Sequence, residues 1–174
     1  MLWKHKDENA HNLATRVAGQ GLSIEKDMIR ESIAQDCEHR HELVASINGI
    51  DFVNDSKSTN INSTWYALSL FHKPVVLILG GIDKVNNNDY SMLDEYAPQI
   101  RAVVIIGYEI KKILRWAKQH EFHVALDMAD AVHSAHKFAR VGDTVLLSPA
   151  CASFDWYDNY EHRGSVFKSI VKSI

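Results

Sequence analysis

The stretch "PVVLILGG", residues 74–81, is a short continuous apolar run that ends in two glycines. Two later runs have the same character, "RAVVIIG" at 101–107 and "DTVLLSP" at 143–149. Short runs that are rich in β-branched residues and apolar at consecutive positions are typical of parallel strands covered on both faces. These three segments therefore predict the buried middle of an α/β sheet.

Helical patterns lie between and after these runs. Apolar residues recur with a spacing of about 3.6 in segments 61–71, 110–117, 128–138 and 166–174. Strands that alternate with such helices are joined by right-handed crossovers. "HELVASINGIDFVNDS" at 41–56 differs, because its Asn48-Gly49 pair is a strong hairpin signal. We predict a Rossmann-like, mostly parallel sheet of five to six strands, with one antiparallel edge strand and helices on both faces.

Residues 1–38 contain a helical pattern but no run typical of a buried strand. We therefore predict two parts in this chain. Residues 1–38 are expected to be the tail of a preceding domain together with a linker, and residues 39–174 to form a second domain with the sheet.

Composition excludes several classes of partner. A net charge of -3 and a pI near 6.3 do not provide the surplus of Lys and Arg that nucleic-acid binding needs. No apolar run approaches the length of about 20 residues that spans a membrane. Cys37 and Cys151 lie far apart in a chain large enough to need no disulfide, which indicates free thiols in a reducing compartment. We expect a monomeric, cytoplasmic protein that binds neither nucleic acid nor membrane.

Polar residues collect where the predicted strands end. Ligands of open parallel sheets bind at the carboxyl ends of the strands, where helix N-termini favour anions. Lysines and hydroxyls at these ends suit an anionic ligand. Simpler interpretations stay open, because residues of the first loop could cap the next helix, Lys84 could be a solvated surface lysine, and Gly80 and Gly81 could simply turn the chain. The loops read "NDSKSTN" at 54–60, "GGIDKVNNND" at 80–89, "GYE" at 107–109 and "SPACASFD" at 148–155, and the residues that could cap are Asp55, Ser56 and Thr59.

Other kinds of site have little support. The glycine spacing matches neither a dinucleotide fingerprint nor a Walker A loop. The histidine pairs 39/41 and 133/136 are poorly spaced for zinc, so we expect ordinary surface histidines and no metal ligands. Cys151 has no neighbouring base in the sequence, which favours a buried structural thiol over a nucleophile.

Four motifs follow one another in a coherent order and spacing. They are "HRHE" at 39–42, "NDSKSTN" at 54–60, "LILGGIDK" at 77–84 and "LLSPACASFDWYDNYEHRG" at 146–164. Together they closely resemble the C-terminal domain of the Mur ligases. The last motif is most similar to that of the D-glutamate-adding members. The D-N-P-R signature of the diaminopimelate-adding members does not occur here.

This resemblance implies a role in peptidoglycan precursor synthesis. ATP would phosphorylate the carboxylate of UDP-N-acetylmuramoyl-L-alanine, and the amine of D-glutamate would attack the acyl phosphate. The family's P-loop and its ligands for Mg²⁺ do not occur in this sequence. We therefore expect a fragment of the enzyme that is inactive alone.

The resemblance also implies roles for individual residues on the nucleotide side. Lys57 matches the lysine near the transferred phosphoryl group, and Asp55 and Arg40 match the positions that meet the ribose and the nucleotide. Asn12 matches an asparagine whose amide contacts the adenine.

On the amino-acid side, the resemblance implies that Lys84 and Thr59 bind one carboxylate of D-glutamate. Ser153, Phe154 and the backbone near Tyr160 would bind the other. Tyr160 stands where the D-glutamate enzyme commonly has Phe, which puts a polar tip in the predicted pocket. Two alternatives stay open: a ligase domain like that of folylpolyglutamate synthetase, which would prefer L-glutamate, and a nucleotide- or anion-binding α/β module without catalysis.

Overall fold

The structure is a computed structural model, and it describes residues 38–84 and 88–174. These residues form a six-stranded sheet. Its strands are β1 (Glu42–Ile47), β2 (Ile50–Asn54), β3 (Val75–Gly80), β4 (Ile100–Ile106), β5 (Glu121–Val124) and β6 (Thr144–Leu147). They lie in the order β1-β2-β6-β3-β4-β5, with the first pair antiparallel and all the other pairs parallel. The predicted fold, with its single antiparallel strand at one edge, is confirmed.

Within the described ranges, three α-helices and one 3₁₀-helix, Tyr90–Tyr96, connect the strands, and a fourth α-helix follows β6. The last helix begins at Tyr160, six residues before the apolar pattern at 166–174. Its first turn carries exposed polar residues such as Glu161, so the apolar pattern does not register it. The α-helices are α1 (Ile61–Ser69), α2 (Lys111–Ala117), α3 (Met128–Phe138) and α4 (Tyr160–Val171).

The hairpin between β1 and β2 turns at Asn48 and Gly49, whose φ angles are 51° and 77°. Both angles lie in the left-handed region that Asn and Gly tolerate best, which is why this dipeptide closes two-residue hairpins. The hairpin prediction is confirmed. It places β1 at the outer edge and joins β2 to the parallel strands through β6.

The core lies on both faces of the sheet, as the continuous apolar runs predicted. On one face, α3 and α4 cover Phe52, Val104 and their neighbours. On the other, α1 and α2 cover Leu77, Val103 and their neighbours. Two covered faces leave the strand ends as the place where polar side chains can meet a ligand.

Some predictions fall outside the described residues. They are the domain tail within 1–37, the adenine contact of Asn12 and the state of Cys37. Among the residues that the structure describes, no helix is long and apolar enough to cross a membrane.

Gly80 at the end of β3 permits a close approach of two strands. A Cβ atom there would lie 2.0 Å from the carbonyl oxygen of Ile106, and the φ of Gly80 is +134°. We expect Gly80→Ala to lower the free energy of unfolding by about 2 kcal/mol or more, because it adds overpacking to backbone strain. Gly142→Ala is a matched control, since the φ of Gly142 is +93° but a Cβ atom there would meet nothing within 4 Å.

Gly142→Ala should lower the free energy of unfolding by only about 1 kcal/mol, because it introduces backbone strain without overpacking. Urea denaturation of the two variants measures the difference. Equal losses would contradict the crowding argument.

Candidate functional site

The loop after β2 begins with a buried segment and ends with a helix cap. The N-cap of α1 is Asn60, whose Oδ1 accepts a hydrogen bond from the Ser63 amide at 3.0 Å. The alternative that Asp55, Ser56 or Thr59 caps this helix is therefore wrong. Thr59 is exposed beside the cap, whereas the other two are buried.

The side chain of Asp55 is fully buried within this loop. Its Oδ2 accepts hydrogen bonds from the hydroxyls of Ser58 at 2.5 Å and Ser148 at 2.7 Å. Ser148 follows β6, so this carboxylate ties together the loops after two neighbouring strands. The carboxylate is fully buried, and its contact with a ribose stays a prediction.

Arg40 and Lys57 lie on adjacent segments. The Lys57 amide donates to the carbonyl of His39 at 3.0 Å, and Lys57 and Arg40 are both half-buried. His39 and His41, on either side of Arg40, have φ angles of 65° and 47°. Left-handed backbone at such residues is uncommon and persists where the surroundings enforce it. The structure thus brings two of the predicted nucleotide-binding residues to one place.

His39 is not the surface histidine that the sequence led us to expect. It is only 4% exposed, and its Nδ1 lies 2.9 Å from Nδ2 of Asn54, at the end of β2. A Cβ atom on Gly164 would lie 2.2 Å from this ring nitrogen. The glycine therefore lets α4 pack directly on His39, and this tertiary contact buries the ring.

A cleft with a volume of 390 Å³ opens at the carboxyl edge of the sheet. The loops after β2, β3 and β6 and the first turn of α4 form its walls. All five residues predicted for D-glutamate line it, although they are distant in sequence; their role there stays a prediction. The predicted residues are Thr59, Lys84, Ser153, Phe154 and Tyr160, and the others are Asn60, Asp83, Asn88, Ala152, Asn159 and Glu161.

Lys84 brings a positive charge to this cleft. Its Nζ lies 4.3 Å from the centroid of the Phe154 ring, a cation–π distance. Within the described ranges no carboxylate forms an ion pair with Lys84. The adjacent Asp83 instead accepts from Lys112 at 3.4 Å and from the Asn88 amide at 3.0 Å. The charge of Lys84 is therefore not neutralised by its neighbour.

Two walls of the cleft are joined by backbone hydrogen bonds. Ile82, after β3, and Ala152, after β6, exchange bonds of 2.8 and 2.9 Å. A Cβ atom on Gly81 would lie 2.2 Å from the Ala152 carbonyl oxygen. Gly81 thus permits a close approach of the two loops, and this approach fixes Lys84 and Ser153 on facing segments.

Sequence reasoning missed Arg163 on α4. Arg163 is 1% exposed, and its guanidinium donates to the Ser56 carbonyl at 2.8 Å, to the Ser56 hydroxyl at 2.9 Å and to the Cys151 carbonyl at 3.0 Å. The Ser56 hydroxyl in turn donates to the Tyr160 carbonyl at 2.8 Å. Burial lowers the pKa of Arg163 to about 10, so it stays charged at neutral pH. Arg163 therefore connects the loop that carries Lys57 to the cleft.

Metal and thiol chemistry have little support here. Among the described residues, no group of three or more His, Cys, Asp or Glu side chains could hold a metal ion. Cys151 is buried, as predicted, with the Tyr90 hydroxyl 3.3 Å from its Sγ. Burial raises the pKa of the Cys151 thiol to about 11.

The raised pKa of Cys151 predicts slow alkylation. At pH 8 the native thiol should react about a hundredfold more slowly than in urea, because an ordinary thiol has a pKa of about 8.5. The neutral buried thiol favours the folded state below about pH 8.5, and this contribution is lost as the pH rises towards the folded pKa. Peptide mass spectrometry after iodoacetamide treatment measures Cys151 separately from Cys37. Equal rates in the native and unfolded states would contradict the burial argument.

Most of the described domain matches a known protein family. Residues 39–151 match the family described as "Mur ligase, glutamate ligase domain". A protein of Salinibacter ruber named UDP-N-acetylmuramoylalanine--D-glutamate ligase is 43% identical over 169 residues, covering 94% of this chain and 36% of its own length. A Cytophaga hutchinsonii protein of the same name is 42% identical over 171 residues, covering 97% of this chain and 38% of its own.

Among solved structures, a MurF ligase from Thermotoga maritima in complex with ADP aligns with 79% of this chain and 32% of its own, at a TM-score of 0.49 and 14% identity. The chain spans little more than a third of the length of the curated relatives above. The family match covers well over half of the 174 residues. This chain belongs to the Mur ligase family, and the domain that contains its sheet is the family's glutamate ligase domain.

Proposed function

We propose that this chain is the amino-acid-binding part of an ATP-dependent ligase that joins D-glutamate to UDP-N-acetylmuramoyl-L-alanine. One observation carries the proposal: five side chains predicted for D-glutamate, from three loops and a helix start, line one cleft on a domain of this family. The names of the two curated relatives support the same substrate pair.

The chemistry of the cleft suits a dicarboxylate. Lys84 provides a positive charge, and the hydroxyls of Thr59 and Ser153 can donate to carboxylate oxygens. Tyr160 begins α4, and the amides of a helix's first turn favour negative charge. A volume of 390 Å³ lies within the range of small-molecule pockets. All of these residues come from one chain, so the proposal needs no second copy.

On the nucleotide side, we assign Lys57 to the transferred phosphoryl group and Arg40 and Asp55 to the nucleotide. A fixed lysine charge near the γ-phosphoryl group would offset the charge that develops during transfer. Mg²⁺ would accompany the ATP, held by residues other than those described here. Because the reaction uses ATP, we expect it to take place in the cytoplasm.

A hybrid ligase tests this proposal. In it, residues 38–174 replace the segment of the Salinibacter ruber relative that aligns with them, and the rest of the relative is kept. We expect phosphate release that requires ATP, UDP-N-acetylmuramoyl-L-alanine and D-glutamate together, with L-glutamate a poor substitute.

Faster turnover with L-glutamate than with D-glutamate would favour the alternative of a domain like that of folylpolyglutamate synthetase. A folded hybrid that turns over neither enantiomer, beside an active parent enzyme, would contradict the proposal.

A further inference from the structure

A buried histidine and a buried carboxylate meet at the loop that carries Lys57. The side chain of His41 is 13% exposed, and among the described residues neither of its ring nitrogens has a hydrogen-bond partner. Its Nε2 lies 3.5 Å from Oδ1 of Asp55, a buried oxygen that also has no hydrogen-bond partner in the part of the chain that the structure describes. Buried polar atoms are nearly always paired, so these atoms require an explanation.

A small movement would pair them. An ordinary N–H···O bond measures about 2.9 Å between heavy atoms, so a shift of about 0.6 Å brings Nε2 into hydrogen-bond range. The other oxygen of Asp55 already accepts from Ser58 and Ser148, which anchors the carboxylate in place. The ring of His41 is therefore the partner that moves.

We propose that His41 is a positioning residue for the nucleotide side of the site, where its neutral imidazole donates from Nε2 to Oδ1 of Asp55. This bond would hold the turn that carries Arg40 against the loop that carries Lys57. The Lys57 amide already bonds to the carbonyl of His39, so the turn would be fixed at both histidines. The contact itself is a property of this chain, whereas its effect on turnover rests on the proposed function.

The groups around His41 determine its charge. Burial acts most strongly and lowers the pKa of His41 below its ordinary value, Asp55 raises this pKa, and Arg40 lowers it. The ring of Tyr66, 6.3 Å away between centroids, packs beside it. A neutral ring carries a single N–H, and Nε2 is the nitrogen near the carboxylate. The geometry therefore specifies one tautomer.

NMR on the full chain tests the contact without any activity. Long-range ¹H–¹⁵N correlations at pH 7 distinguish the two neutral tautomers from the charged ring, and His41→Gln assigns the signal among the 10 histidines. We expect a neutral His41 with its proton on Nε2. A proton on Nδ1, or a charged ring at pH 7, would overturn the inference whatever the hybrid ligase does.

Kinetics of the hybrid ligase test the positioning role. His41→Phe keeps a ring but removes the donor, and it should lower kcat about tenfold with less than a twofold change in the KM for D-glutamate. His41→Gln places an amide donor near the position of Nε2 and should restore most of the rate. Equal losses in the two variants, or no loss in either, would contradict the positioning role. The control is His133→Phe on α3, where the side chain is exposed.

Discussion

Replacing Lys84 by alanine should raise the KM for D-glutamate in the hybrid ligase about ten- to a hundredfold, while the KM for ATP changes less than twofold. The ammonium of Lys84 lies at the cleft and within the described ranges forms no ion pair. A charge-assisted hydrogen bond to a carboxylate contributes about 1.5 to 3 kcal/mol, which corresponds to this range. Initial rates at varied D-glutamate concentration measure the change.

The matched control is Lys137→Ala. Lys137 is an exposed lysine on α3 and does not line the cleft. It should leave both KM values unchanged. If Lys84→Ala also leaves the KM for D-glutamate unchanged, Lys84 is a solvated surface lysine and does not bind the substrate.

Replacing Lys57 by alanine should lower kcat about a hundredfold or more, with only modest changes in either KM. The charge of Lys57 is assigned to the phosphoryl group in transfer, and an interaction made mainly in the transition state affects kcat rather than KM. Removing one such electrostatic group typically costs about a hundred- to a thousandfold in rate. Single-turnover phosphate release from the hybrid ligase measures this effect.

A thermal melt of the same variant separates catalysis from folding. Lys172→Ala, an exposed lysine just after α4, is the control. If Lys57→Ala lowers the melting temperature but the remaining folded enzyme turns over normally, Lys57 serves the structure rather than the reaction.

The sheet could be predicted because its strands have strong local signals. Continuous apolar runs specify β3, β4 and β6, and Asn48-Gly49 specifies the hairpin. β5 has no such signal, because three of its four residues are exposed and it carries no apolar run. An edge strand of this kind forms by pairing with β4, which a local pattern does not reveal.

The cleft could be anticipated for a related reason. Parallel strands bring their carboxyl ends to one edge, so Lys84 and Ser153 had to come close once their strands were recognised. Arg163 and His39 could not be recognised in this way. Arginines are mostly exposed, and a histidine flanked by charged residues looks solvated. Their burial depends on tertiary contacts, namely the three hydrogen bonds to Ser56 and Cys151 and the approach that Gly164 permits.

The cap of α1 shows how a local choice can go wrong among equivalent residues. "NDSKSTN" offers several side chains that can cap a helix, and the structure uses the last of them, Asn60. Because Asn60 takes this role, Thr59 is left exposed at the cleft and Asp55 joins a buried network. The first residue that can cap is therefore not always the one that does.

The central claim is that the cleft binds D-glutamate, and an NMR titration of the ¹⁵N-labelled chain tests it most directly. Binding should be weak, because the complete site of the proposed ligase also includes its ATP-binding domain. Millimolar affinities are nevertheless measurable from chemical shifts. We predict that D-glutamate moves the amide signals of Thr59, Ser153 and Tyr160 along saturating curves. L-Glutamate should move them less at equal concentration. Shifts confined to residues away from the cleft, or a preference for L-glutamate, would contradict this account.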